Sequence, residues 1–151
     1  MTKIIMKRMS TLVESENILE HCQFGFRKNM STGEAIITMN TMVTQSKLLK
    51  DNLFLCFIDL EKAYDKVDRE ELFRRLRKLE FGGAVFDFLV DMYSNDVLYL
   101  QVNGELCKPL YLSRGLKQGC NLSPLFFNIM MVQVAKRLQA TGLGGKVGKL
   151  R

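Results

Sequence analysis

Residues 53–65 read LFLCFIDLEKAYD, six apolar residues running without a break into the carboxylate Asp59. A short apolar run containing Phe and Ile fits a strand buried on both faces better than a helix of ordinary length. The sequence therefore predicts a strand over residues 53–58. An acid at the exit of such a strand sits where a rigid element meets a cleft, which is how metal-dependent chemistry needs its ligands held. The competing reading is that Asp59 caps a turn or the start of a helix, positions that Asp favours for its local hydrogen bonding. This stretch alone leaves both open.

Working outward, the elements on either side read clearly. Upstream, Ile4, Ile5, Met9, Leu12, Val13 and Leu19 recur at roughly helical spacing, predicting an amphipathic helix within residues 3–20. QFGFRKNM is a Gly-containing connector, and Ser31 followed three residues later by Glu34 has the capping-box pattern. The helix behind it is expected to run to about Lys50 and to bury Ile36, Ile37, Met39, Met42 or Val43, and Leu48. Downstream, Asp68 followed by Glu71 reads as another N-cap, opening a helix that buries Leu72, Phe73, Leu76 and Leu79. Arg74, Arg75, Arg77 and Lys78 fall on its outer faces, where they either follow a phosphate backbone or are simply solvated. Gly82-Gly83 breaks this helix and another follows over residues 84–93.

Residues 97–102 and 106–112 are strand-like runs joined through Asn103-Gly104, the dipeptide best suited to a hairpin because both turn positions tolerate positive φ. A loop with Gly115 and Gly119 leads to Ser123-Pro124, read as an N-cap with proline at the first helical position. That helix is expected to end near Ala140, before a Gly-rich basic tail, GLGGKVGKLR. No internal repeat and no linker divides the chain.

With 151 residues, 47% apolar and 25% charged, the chain has the composition of one soluble globular domain. Its net charge of +6 is unevenly spread. Residues 1–50 carry 7 Lys/Arg against 4 Asp/Glu, residues 51–100 carry 7 against 11, and residues 101–151 carry 8 against 1. An acidic middle between basic ends suits a site for metal and phosphate and predicts salt-dependent affinity for a polyanion. Four scattered cysteines, no CxxC and one histidine argue against a zinc site and a disulfide scaffold, so a reducing, intracellular compartment is expected. No apolar run approaches the length of a membrane span, and the N-terminus lacks a signal-peptide core.

Three stretches in order, QFGFRKNMSTGEAI (23–36), CFIDLEKAYDKVD (56–68) and SRGLKQGCNLSPLFFNI (113–129), resemble successive motifs of reverse transcriptases, especially those of non-LTR (LINE-type) retrotransposons. The resemblance covers nearly the whole chain. F-x-D-x-x-x-A-Y-D and G-x-x-Q-G-x-x-x-S-P are moderately specific alone and strong together, with a helical pair and an Asn-Gly hairpin between them. It implies an α+β fold, part of a right-hand polymerase. Residues 1–50 would be fingers-like and residues 51–151 palm-like, with a small antiparallel palm sheet packed with helices.

The resemblance also implies roles. Asp59 would be one of the aspartates holding two Mg²⁺ ions, with the peptide carbonyl of Leu60 as a further ligand; hard cations take oxygen donors. Tyr64 matches the ring that packs under the incoming sugar and excludes a 2′-hydroxyl, with Ala63 small enough to let it seat. Gln118 matches the glutamine beside the nucleotide, and Gly119 lets the backbone approach the templating base pair. Arg27 is the candidate for a triphosphate contact. The implied partners are an RNA template, a DNA primer and deoxynucleoside triphosphates.

The family's next motif, aromatic-x-Asp-Asp, supplies the remaining metal-binding aspartates, yet the chain contains no Asp after Asp96. The expectation is a polymerase fragment, inactive alone. Two other readings stand beside it: a non-catalytic nucleic-acid-binding remnant, and a small Mg²⁺-dependent nuclease or phosphotransferase built on Asp59, Asp65 and Asp68. The last requires those three acids to converge.

Overall fold

The computed structural model describes residues 1–144, so the last seven residues of the expected basic tail lie outside the described residues. Five helices and two short antiparallel strand pairs make an α+β fold, as expected. Helix α1 (Thr2–Ser15) buries Ile5, Met9 and Val13, an i, i+4, i+8 stripe on one face. Helix α2 (Thr32–Leu49) opens with both halves of the capping box: Ser31 accepts from the Glu34 amide, and the Glu34 carboxylate accepts from the Ser31 amide at 2.8 Å. Helix α3 (Arg69–Lys78) is capped by Asp68, whose carboxylate accepts from the Glu71 amide at 3.0 Å. Helix α4 (Gly83–Ser94) and helix α5 (Ser123–Ala140) complete the set.

The core forms where α1, α3, α4 and α5 meet. Leu72 and Leu76 of α3, Leu89 and Tyr93 of α4, and Phe126 and Ile129 of α5 are almost completely removed from water. The Phe73 ring meets Phe86 and Tyr93 edge-on at 5.9 and 6.0 Å, a preferred aromatic geometry. Between α4 and α5 the chain makes a broken hairpin. Strands β1 (Val97–Leu98) and β4 (Leu110–Tyr111) pair outside, and β2 (Gln101–Val102) and β3 (Glu105–Leu106) pair beside the turn. Asn103 and Gly104 take φ of 52° and 89°, as the Asn-Gly reading requires. The ladder breaks because residues 99–100 face three residues, 107–109, on the return strand. Pro109 in that longer arm has no N–H to give.

Three expectations are corrected. Residues 53–58 form no strand; their backbone is irregular, and Phe54, Phe57 and Ile58 are 91%, 80% and 79% exposed. A strand needs a neighbour for its N–H and C=O groups, and the strands among the described residues pair only with one another. Helix α2 buries none of its apolar residues fully, and Ile36, Ile37 and Leu48 are exposed. Its apolar side chains are spread around the helix instead of forming one stripe, so local capping holds it more than packing does. Ser123 does not cap α5. Leu122 holds the cap position, and the Ser123 hydroxyl donates instead to the Lys117 carbonyl at 2.6 Å.

Candidate functional site

The second and third motif stretches meet. Residues 61–66 form a tight series of turns between the irregular segment and α3. The loop before α5 lies against it: the Gly115 amide donates to the Val67 carbonyl at 2.8 Å and the Leu116 amide to the Tyr64 carbonyl at 2.9 Å. Gly115 has φ +88°, and a Cβ there would stand 2.9 Å from the Asp65 carbonyl oxygen. Glycine is required at this crossing by space and by backbone conformation alike. Gln118 then reaches over, its Nε2 donating to Asp65 Oδ1 at 3.0 Å. Gly119 is also left-handed, at φ +81°, with open space where a Cβ would sit.

Behind this crossing is a buried polar anchor that the sequence reading missed. Arg69, 7% exposed at the start of α3, donates to the carbonyls of Gly115 (2.8 Å), Tyr93 (2.7 Å) and Leu112 (2.5 Å), and to Asp96 Oδ2 at 2.6 Å. Lys117 Nζ holds the other Asp96 oxygen. Burial pushes the Asp96 carboxyl up, but the hydrogen bonds from Lys117 and Arg69 outweigh it and hold the group below its ordinary value. Both cations also lie over the Tyr93 ring, at 5.0 and 5.8 Å. Burial holds the Tyr93 phenol above its ordinary value. One guanidinium thus ties the end of α4, the hairpin's return strand and the Gly115 loop to α3. The available signal was a lone Arg directly after a cap residue, which by itself says nothing of burial.

The expected site residues divide by position. Asp59 and Leu60 are exposed on the irregular segment, while Ala63 and Tyr64 are half-buried in the turns that follow. The Tyr64 ring stacks on Phe127 of α5, centroids 5.2 Å apart and 24° between planes, and burial raises its phenol. Gln118 reaches the same turns through Asp65, and Gly119 follows it in the loop. Arg27 has other company. Its guanidinium pairs with Glu14 at 2.6 Å and donates to the carbonyls of Glu20 and Gln23, with its side chain 8% exposed. The hydrogen bond from Arg27 holds the Glu14 carboxyl below its ordinary value. These four hydrogen bonds fold the connector and leave one of the five guanidinium N–H groups for the triphosphate contact expected of Arg27. The buried Asn128 of α5, also missed, fixes the same connector by donating to the Gly25 carbonyl at 2.7 Å.

As metal donors, the Asp59 carboxylate and the Leu60 carbonyl are right in kind for a hard cation. They are too few: among the described residues, no three or more Asp, Glu, His or Cys side chains gather where they could hold a metal ion. Asp68 is engaged as the cap of α3.

Two motif-bearing segments are thus clasped across the start of a helix pair, with a polar side chain of one on an acid of the other. The chain belongs to the family described as reverse transcriptase (RNA-dependent DNA polymerase), whose sequence profile matches residues 1–145. It is 26% identical over 149 residues, 97% of its length, to a retrovirus-related Pol polyprotein from the type-1 retrotransposable element R2 of Popillia japonica. It is 26% identical over 127 residues to a probable RNA-directed DNA polymerase from transposon BS of Drosophila melanogaster, covering 84% of this chain. It is 22% identical over 141 residues, 93% of this chain, to the RNA-directed DNA polymerase from mobile element jockey of Drosophila funebris. The resemblance to non-LTR retrotransposon reverse transcriptases therefore holds. The chain spans only 20%, 14% and 15% of the lengths of these three relatives.

Proposed function

We propose that this chain is the fingers-and-palm portion of an RNA-directed DNA polymerase, residues 1–50 fingers-like and the rest palm-like, acting on an RNA template, a DNA primer and deoxynucleoside triphosphates in an intracellular setting. The observation that carries the reading is the crossing of the two motif segments. Gly115, Leu116 and Gln118 hold the turns that bear Tyr64 and Asp65, within a few residues of Asp59. No helix among the described residues is long and apolar enough to cross a membrane.

In this reading Asp59 and the Leu60 carbonyl contribute to a divalent-cation site, Mg²⁺ by the hardness of its donors, completed by the aspartates of the aromatic-x-Asp-Asp motif, which this sequence does not contain. When bound, such ions lower the pKa of an attacking 3′-hydroxyl and neutralise charge on the transferred phosphate. Tyr64, backed by Phe127 and flanked by the small Ala63, presents a stiff ring edge to the sugar of the incoming nucleotide. Gln118 and Gly119 line the neighbouring wall, where a positive-φ glycine leaves the backbone uncovered for a base pair to approach.

The nuclease alternative lacks support, because Asp68 is engaged as a helix cap and Asp65 takes the Gln118 amide. The test is primer extension by a chimera that joins this segment to the downstream part of a matching polymerase. Asp59→Asn is expected to abolish extension while template–primer binding stays within about twofold. Continued extension by Asp59→Asn overturns the metal-ligand assignment.

A further inference from the structure

Helices α3 and α5 both begin at the motif crossing and run side by side away from it. Arg69 starts one beneath the Gly115 loop, and Ser123 starts the other on the Lys117 carbonyl. Six residues along α3, Arg75 bridges the pair by donating to the carbonyl of Met130, seven residues along α5, at 2.6 Å. Beyond that bridge two cavities adjoin, sharing Arg75, Lys78 and Gln133. At 1.5 Å per residue, Lys78 lies about 14 Å along α3 from Arg69, and Arg137 about 21 Å along α5 from Ser123. This is the far end of the helix pair from the candidate site.

The two cavities differ in chemistry. One, of about 290 Å³, has an apolar floor of Ile18, Leu79, Ile129 and Val132 and is lined besides by the amides of Asn17 and Gln133, the acid Glu16 and the cation Lys136. The other, of about 320 Å³, is walled by Arg74, Arg75, Lys78 and Arg137, with Glu71 the acid among them. Glu71 is already shared by Arg74 at 2.5 Å and Arg75 at 2.6 Å. Lys78 and Arg137 have no acidic partner among the described residues. Cations near a helix C-terminus offset the backbone dipole, which accounts for one of them per helix. It does not account for two helices aiming theirs into one cleft beside an apolar, amide-edged pocket.

We propose that this end of the α3–α5 pair is an accessory site for single-stranded nucleic acid, one unstacked base in the apolar pocket and its flanking phosphates in the cationic cleft. An apolar floor suits the face of a base. The amides of Asn17 and Gln133 each offer donor and acceptor to a base edge, which is exposed only in an unpaired strand. The cations take the phosphodiester oxygens. The site shares a ligand class with the proposed polymerase function but does not rest on it, since none of its residues belongs to the motif crossing.

The test uses the 151-residue chain and 12-nucleotide, 5′-fluorescein-labelled strands: single-stranded RNA, single-stranded DNA of the same sequence, the DNA duplex, and the DNA strand with abasic positions. Neutralising Lys78→Gln/Arg137→Gln is expected to weaken single-strand binding about tenfold at fixed salt and to flatten its salt dependence. Lys7→Gln/Arg8→Gln, the same charge change on exposed positions of α1, is expected to weaken it less than threefold. Gln133→Ala is expected to weaken binding of the intact strands but not of the abasic one. Whichever of RNA and DNA binds more tightly identifies the strand that the cleft holds, and equal binding supports a site that reads only phosphate and base. Equal losses in the two charge pairs, a Gln133→Ala variant that binds all strands as before, or duplex binding as tight as single-strand binding overturns the proposal. The polymerase reading is read by primer extension in the chimera and this site by strand binding of the 151-residue chain, so failure here and failure of the polymerase reading are separate results.

Discussion

Gln118 Nε2 donates to Asp65 Oδ1 at 3.0 Å, joining residues 53 positions apart in the chain. This bond is exposed, and the same loop is also held by the backbone bonds of Gly115 and Leu116. Gln118→Ala is therefore expected to cost only about 0.5–1.5 kcal/mol of stability. Hydrogen exchange at the Gly115 and Leu116 amides should stay slow. Fast exchange at both in Gln118→Ala would mean that the side chain, not the backbone, holds the loop.

Gly115→Ala and Gly119→Ala should differ although both sit at positive φ. At Gly115 the new methyl meets the Asp65 backbone at 2.9 Å, whereas at Gly119 it enters open space. Gly119→Ala is expected to cost about 1–2 kcal/mol, the left-handed penalty alone. Gly115→Ala adds a steric clash with backbone that has little room to move, for about 3 kcal/mol or more. Urea unfolding of the two variants gives the comparison, and equal losses would show that the crossing is looser than the structure has it.

Arg69→Met should be among the most damaging substitutions, at about 3–5 kcal/mol, because it strands the carbonyls of Gly115, Tyr93 and Leu112 and half of the Asp96 carboxylate. Arg74→Met, on the exposed side of the same helix, should cost less than about 1 kcal/mol. Thermal unfolding distinguishes them. A loss below about 1 kcal/mol at Arg69 would mean that the network contributes nothing net.

The Asp96 pair also sets an acid limit. Its folded-state pKa lies below the ordinary 3.8, so its contribution is complete above that value and is lost as the pH falls through the lower folded value. Between pH 5 and pH 2 the chain should lose stability more steeply than Asp96→Asn does. Parallel pH–stability curves would show that other carboxylates, such as Glu14 and Glu71, account for the acid sensitivity.

Tyr64 allows a selectivity test in the polymerase chimera. If the ring edge excludes a 2′-hydroxyl, Tyr64→Val raises ribonucleotide incorporation relative to deoxynucleotide by on the order of tenfold, equivalent to about 1.4 kcal/mol. Tyr64→Phe keeps the ring and its stack on Phe127 and should leave the ratio almost unchanged. A fixed ratio in Tyr64→Val, with both rates lowered together, would make Tyr64 a packing residue only.

What the amino-acid sequence determined by itself is what neighbouring residues decide among themselves. Ser31 and Glu34 satisfy each other's amides three residues apart, Asp68 caps α3, and Asn103-Gly104 turns the hairpin. These are short-range hydrogen-bonding and steric preferences, so the residue types suffice. The order of the three motif stretches was equally legible and placed the chain in its family. Tertiary structure decided whatever depends on partners distant in the chain. Residues 53–58 have the composition of a buried strand, but all except Leu53 lie exposed, because a strand exists only where another backbone completes its ladder. Arg27 and Arg69 look alike as cations in polar segments. The fold gives one to Glu14 and the connector and buries the other among acceptors 24 to 46 residues away. A charged group is buried only where the surrounding backbone gathers enough acceptors to replace water, and that gathering is a property of the packed chain.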